Sequence, residues 1–241
     1  MKQIKTYSTL MPMLILLAAC GGAKTADKIS DAQNCLDQSA PSGAAVCVAK
    51  VDGIDSPGAD LIRCVGKFVK EGFNDPTKLS TAMSGLSAGG NGAAGSTAMM
   101  AALAFSSEAT ANLNSQSSQD ALTFCNRSKS KGLILLSGLA QTSTTLAALG
   151  AINPATMTGA QLTSLMTTLA SNPAAQTAVG SAVVSMYTSN CTPGATTTGN
   201  YCTQFQSVIA TIPGGTSDPA SIGNKIMTCY AVPTTPGCTG F

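Results

Sequence analysis

Residues 158–169 read Thr-Gly-Ala-Gln-Leu-Thr-Ser-Leu-Met-Thr-Thr-Leu. Thr158 and Gln161 have the spacing of a capping box, in which the hydroxyl accepts the N3 amide and the Gln side chain reaches back to the N-cap. Behind them Leu162, Leu165, Met166 and Leu169 recur at i, i+3, i+4 and i+7, one apolar face of an α-helix. The same punctuation recurs on both sides. Asn172-Pro173 precedes Val179, Ala182, Val183 and Met186, while Phe205, Val208, Ile209 and Ile212 form a further stripe. Asp218-Pro219 opens a segment holding Ile222, Ile226 and Tyr230. Each pair places a capping side chain ahead of a proline whose missing N–H a first helical turn does not need.

Upstream, Ser56-Pro57 introduces Leu61, Val65 and Phe68, and Asp75-Pro76 introduces Leu79 and Met83 with Gly85 as a stop. Ser96 can cap Met99 to Phe105, and Ser118 and Asp120 precede Leu122, Phe124 and Cys125. Leu133 to Leu149 forms a long apolar run that ends at Gly150. The uncharged stretch Leu133 to Ile152 is near membrane length, but Gln141 and Thr142 to Thr145 would lie at its centre in hydrocarbon, so it reads as a core helix. Only Val46 to Val51 reads as a strand. The expected class is all-α: about eight to ten short helices with long Gly/Pro/Thr-rich loops, stapled by disulfides.

Composition narrows the chemistry. The 241 residues include no His and no Trp, and only 10% are charged, against roughly 25% in ordinary domains. Without imidazole, Ser-His-Asp and Cys-His hydrolysis, His-ligated zinc or haem, and the HExxH proteases are excluded. No metal set and no cofactor are expected.

At the N-terminus Lys2 and Lys5 precede the apolar stretch Leu10 to Leu17, then Ala18, Ala19 and Cys20. This is the build of a secretory signal peptide, too short to span a bilayer. Leu17-Ala18-Ala19-Cys20 resembles the lipobox of bacterial lipoproteins. The resemblance implies cleavage before Cys20 and lipidation of its thiol and freed amino group, which anchors a protein stably once two or more chains are attached. Gly21, in place of Asp, resembles the pattern sent on to the outer membrane in Gram-negative bacteria. The implied localisation is the bacterial cell envelope, most simply its outer membrane, with the periplasmic or surface face open. The membrane partner is reached through acyl chains on Cys20.

Removing residues 1–19 takes Lys2 and Lys5 from the 13 basic side chains, which then equal the 11 acidic ones. A neutral chain without basic clusters has no electrostatic footprint for nucleic acid. Residues 20–28 read as lipidated Cys and a flexible tether of roughly 15 Å. The remainder divides at Lys131 into a charged half, 29–131, and a nearly uncharged half, 132–241, in which only Asp218 and Lys225 carry side-chain charge.

Lipidation of Cys20 leaves eight of nine cysteines, an even number that reads as four disulfides in an oxidising compartment. A cut at Lys131 divides them four and four. Within the second half the spacings suggest the nearest-neighbour pairs Cys191–Cys202 and Cys229–Cys238, each closing a turn-rich loop worth roughly 2–3 kcal/mol, and Cys35–Cys47 and Cys64–Cys125 would complete the set.

Three catalytic patterns also match. Gly85-Leu86-Ser87-Ala88-Gly89 fits the nucleophile elbow G-x-S-x-G but lacks both a preceding strand and a His. Gly90 to Gly95 fits G-x-G-x-x-G without the βαβ unit that gives it meaning. Ser128-Lys129-Ser130-Lys131 contains S-x-x-K, a pattern able to work without His, and reads as a basic turn between helices. Asp52, Asp55 and Asp60 cluster but break the alternating calcium-loop spacing, and read as turn and capping residues. The functional expectation is a non-catalytic lipoprotein, an interaction or structural module with a protein partner. The alternatives are a carrier of a hydrophobic ligand or lipid and, more remotely, a Ser-Lys hydrolase.

Overall fold

Helix caps written into the sequence set where the chain turns. The computed structural model describes residues 19–78, 80, 100–151, 153, 158–191, 200–232, 234 and 238. Among these are nine α-helices and no strand: α1 Ala19–Gln38, α2 Ala44–Ala49, α3 Pro57–Lys70, α4 Ala111–Ser128, α5 Lys131–Leu149, α6 Gly159–Leu169, α7 Pro173–Asn190, α8 Asn200–Ile209 and α9 Pro219–Ala231. The class is all-α, although α1, α4, α5 and α7 are longer than the short helices expected.

The caps are formed. Ser56 accepts from Ala59 N–H, Asn172 from Ala174 and Ala175, and Asp218 from Ser221. Thr158 and Gln161 complete both halves of the capping box. Asp75 accepts from Thr77 N–H at 2.8 Å, whereas Leu79, Met83 and Gly85 lie outside the described residues, as do Ser96 and Met99.

Three expectations are corrected. Val46 to Val51 is not a strand: α2 covers Ala44–Ala49, with Val51 buried in the turn that follows. Ala44, Cys47 and Val51 are buried at i, i+3 and i+7 while residues 45, 46, 49 and 50 are exposed, a helical period that alternation could not supply. Ser118 and Asp120 do not start a helix. They lie inside α4, which is capped by the Thr110 hydroxyl accepting from Leu113 N–H. The polar run Asn112 to Gln119 hid two turns of helix, because Asn and Ser are weak helix formers and carry no apolar stripe. Finally, residues 20–28 are not a loose tether but belong to α1.

The core forms in three adjoining clusters. Ala32, Leu36, Val51, Ile62 and Val69 join α1, α2 and α3. Phe68, Leu103, Phe105, Leu122 and Ile134 join α3, the segment at 100–105, α4 and α5. Leu146, Leu162, Val179, Met186, Val208, Ile222 and Met227 join α5 to α9. α3 and α5 each contribute to two clusters, so the boundary at Lys131 is the start of a shared helix. α5 is long and apolar enough by length and composition to cross a membrane, but it packs between α4 and α7 and is half buried there.

The tightest crossing is α7 on α9. A Cβ on Gly180 would stand 1.6 Å from Pro219 O, and one on Gly223 would stand 1.9 Å from Gln176 O. The two helices therefore touch backbone to backbone, a separation only glycine permits.

Candidate functional site

Of the residues singled out in the sequence, Cys20 lies in the first turn of α1, while Leu10 to Leu17 lies outside the described residues. The other eight cysteines pair as Cys35–Cys47, Cys64–Cys125, Cys191–Cys202 and Cys229–Cys238, with Cα atoms 5.4, 5.1, 5.4 and 5.0 Å apart. Both glycine motifs, 85–89 and 90–95, lie outside the described residues. Ser128 ends α4, and its hydroxyl donates to Cys125 O at 2.7 Å and accepts from Ser130 N–H at 3.3 Å. Lys131 starts α5 on the exposed surface. The Ser128 proton is thus committed to the backbone, which leaves S-x-x-K with no formed nucleophile–base pair.

The aspartate cluster resolves into an ionic clasp. Asp60 on α3 is buried and receives Arg63 Nη1 at 2.9 Å and Arg127 Nε, from α4, at 3.0 Å. Arg127 also reaches Asp55 at 3.2 Å. Arg63 Nη2 donates to Val51 O and Ile54 O at 2.9 and 2.8 Å, and its guanidinium lies 5.9 Å from the Phe124 centroid. Arginine forks, not a cation, occupy these oxygens, and Asp52 takes no part. Among the described residues no group of His, Cys, Asp and Glu side chains has a metal-binding arrangement.

Glu71 is a second buried carboxylate. It accepts from Ser106 N–H at 2.7 Å, from Ser107 N–H and from the Ser107 hydroxyl. Lys78 donates to Glu71 O at 2.6 Å and stands 4.7 Å from the Phe73 centroid. Burial lowers the Lys78 pKa, against the opposing pull of the Glu71 charge. This arrangement fastens the chain after α3 to the segment entering α4.

The concave features lie between helices. A groove of about 910 Å³ opens between α4, α5 and α7. Amides reach it from Asn112, Gln119 and Gln141, and hydroxyls from Ser115, Thr145 and Ser181. Ala148, Leu149, Pro173 and Ala178 supply its apolar wall, and no charged or aromatic side chain lines it. Gln141 is 6% exposed and its Oε1 has no hydrogen-bond partner. On the other side of α5 a smaller pocket of about 310 Å³ adjoins Phe105, Glu108, Asn114 and Thr144. There Thr144 donates to Ala140 O and accepts Phe105 N–H, each within 2.8 Å. Both hollows open to solvent and mix polar with apolar lining, unlike an enclosed apolar chamber.

The sequence did not single out Gln141 as a site residue. Its one signal was the run Gln141 to Thr145 interrupting an otherwise apolar helix. No protein-family model matches the chain, and no curated protein or solved structure is significantly similar to it.

Proposed function

We propose that this protein is an exported bacterial lipoprotein, held to a membrane of the cell envelope through acyl chains on Cys20, most simply the outer membrane. Its helical domain serves as a non-catalytic interaction module. The observation that carries this reading is the cysteine ledger. Eight of nine cysteines are consumed in four disulfides, and the one outside that set follows Leu17-Ala18-Ala19. Four disulfides in so small a protein fit an oxidising, exported environment. The open hollows and their mixed lining favour surface contact over carriage of an apolar molecule, for which an enclosed cavity is the expected design.

The test is fractionation of cells making the wild type and Cys20→Ala, with incorporation of labelled palmitate. Wild type is expected in the membrane fraction carrying label. The variant should retain its signal peptide or appear unlabelled in the soluble fraction. An unlabelled wild-type protein would overturn the anchoring.

A further inference from the structure

The groove between α4, α5 and α7 carries more hydrogen-bonding capacity than the fold uses. Several threonines of the second half are satisfied within their own helices, Thr177 of the groove wall among them: Thr142 donates to Gly138 O, Thr163 to Gly159 O, Thr177 to Pro173 O and Thr188 to Val184 O. Such back-bonding removes the donor from further demand. Six other groove residues do not follow that pattern. Ser115, Thr145 and Ser181 make no side-chain hydrogen bond among the described residues, nor do the amides of Asn112, Gln119 and Gln141. Two of these are deeply placed: Gln141 is 6% exposed and Thr145 is 7% exposed. A buried amide oxygen without a partner is costly, so a fold gains nothing by keeping it unless something else satisfies it.

Spacing and composition say what that would be. Gln141 and Thr145 stand one turn apart on α5, as Thr177 and Ser181 do on α7 and Ser115 and Gln119 on α4. Residues four apart on a helix repeat every ~6 Å along its axis. Alternate residues of an extended chain repeat every ~6.7 Å, and their N–H and C=O groups point to the same edge. Primary amides match a peptide bond by offering donor and acceptor together. The absence of charge excludes ionic ligands, and the absence of aromatic rings removes the stacking platform that sugars and bases favour. Ala148, Leu149 and Ala178 offer apolar contact to uncharged side chains between these polar points.

We propose that this groove binds an extended, uncharged peptide segment of a partner protein, with Gln141 and Thr145 reading its backbone. Rotation about the soft terminal torsion lets the Gln141 amide present either group. The proposal rests on the interaction-module reading but not on lipid anchoring, and its test is separate from fractionation.

The probe is acetyl-Ser-Ala-Ala-Thr-Ala-Gly-amide, titrated into the ¹⁵N-labelled full-length protein purified from an oxidising compartment. The side-chain NH₂ signal missing from the spectrum of Gln141→Met identifies Gln141. That signal is expected to shift saturably with peptide in the wild type. Gln141→Met should melt no lower than wild type and bind about tenfold more weakly. A merely structural glutamine would instead lower the melting temperature and leave affinity unchanged. Should Gln141→Met fail to fold, Thr177→Arg at the exposed rim of α7 should block binding on an unaltered fold. Absence of saturable binding, or unchanged affinity in the folded variants, overturns the proposal. So does a shift produced by a β-1,4-linked N-acetylglucosamine tetramer but not by peptide. A failed titration leaves lipid anchoring standing, and a protein without lipid leaves the groove standing.

Discussion

The charged and uncharged halves of the chain solve the same packing problem by different means. Among the described residues all five ion pairs lie between Asp55 and Arg127, and each of Lys67, Lys70 and Arg127 joins an α3 or loop residue to a partner at least 38 positions away. The one disulfide spanning a long loop, Cys64–Cys125, fixes the same pair of helices. After residue 131 the disulfides close only short loops, and close approach at Gly138, Gly150, Gly180 and Gly223 takes the place of ion pairs, a device the first half shares at Gly66, where a Cβ would stand 2.2 Å from Val48. Directional charge pairs hold helices at a distance long side chains can bridge. Without them, approach must be close enough for dispersion forces alone, and that demands small residues. A chain poor in charge is therefore rich in Gly, Ala, Ser and Thr for a packing reason.

The comparison can be broken first at its long crosslink. Replacing both Cys64 and Cys125 by Ala should cost about 4 kcal/mol, since the loop closed spans 61 residues. The same change at Cys229 and Cys238 should cost roughly 2.5 kcal/mol. Urea denaturation by circular dichroism measures both. The described tyrosines, Tyr187, Tyr201 and Tyr230, all lie after residue 131, so tyrosine fluorescence reports the second half separately. An equal loss for the two pairs would deny the first half its distinctive staple.

Next comes the α7–α9 crossing. Gly180→Ala drives a methyl into the Pro219 carbonyl and should cost about 3 kcal/mol or more, visible first in tyrosine fluorescence. Gly132→Ala, where a Cβ meets open space, should be neutral or slightly stabilising. Arg63→Met in the first half ranks third. It leaves Asp60 with Arg127 alone and removes the donor from Val51 O and Ile54 O, a loss of about 2 kcal/mol. Raised salt should weaken the first half more than the second.

The smallest effects come from pH, and both groups make stability rise with pH, Asp218 at the acid end of the scale and Lys78 at the alkaline end. Ser221 donates to Asp218 and holds its pKa below the usual aspartate value. That contribution is complete above the ordinary value and is lost as pH falls through the lowered one. Asp218→Asn should flatten the acid limb of tyrosine-detected stability. Lys78, with its pKa lowered by burial, carries a penalty as ammonium, relieved as pH rises through the lowered value toward 10.5. Lys78→Met should remove that alkaline gain.

The sequence disclosed punctuation better than surroundings. Ser56, Thr158, Asn172 and Asp218 could be read as caps because capping is local chemistry among neighbouring residues. Short spacing limits the reach of Cys191–Cys202 and Cys229–Cys238, whereas Cys64–Cys125, 61 residues apart, had no local signal and was reached only as a remaining pair. By contrast α2 was mistaken for a strand: six residues are too few to separate a helical from an alternating pattern when a disulfide and the α3 surface decide the outcome. α4 was entered late because its first turns carry Leu113 as the one large apolar side chain among polar residues and form no apolar stripe. Gln141 gave no local sign of its groove, since the walls come from three helices whose approach no single segment encodes.

One feature of α1 has a mechanical side. The helix runs unbroken from Ala19 to Gln38, so Cys20 and Cys35 stand on one rod about 22 Å apart. A pull applied at Cys20 would travel along that rod into the Cys35–Cys47 bridge, then through the short span to α3 and across Cys64–Cys125 into α4. The load path is covalent at its junctions. Tension applied at Cys20 could unwind α1 only as far as Cys35, where the bridge passes the load into the rest of the domain.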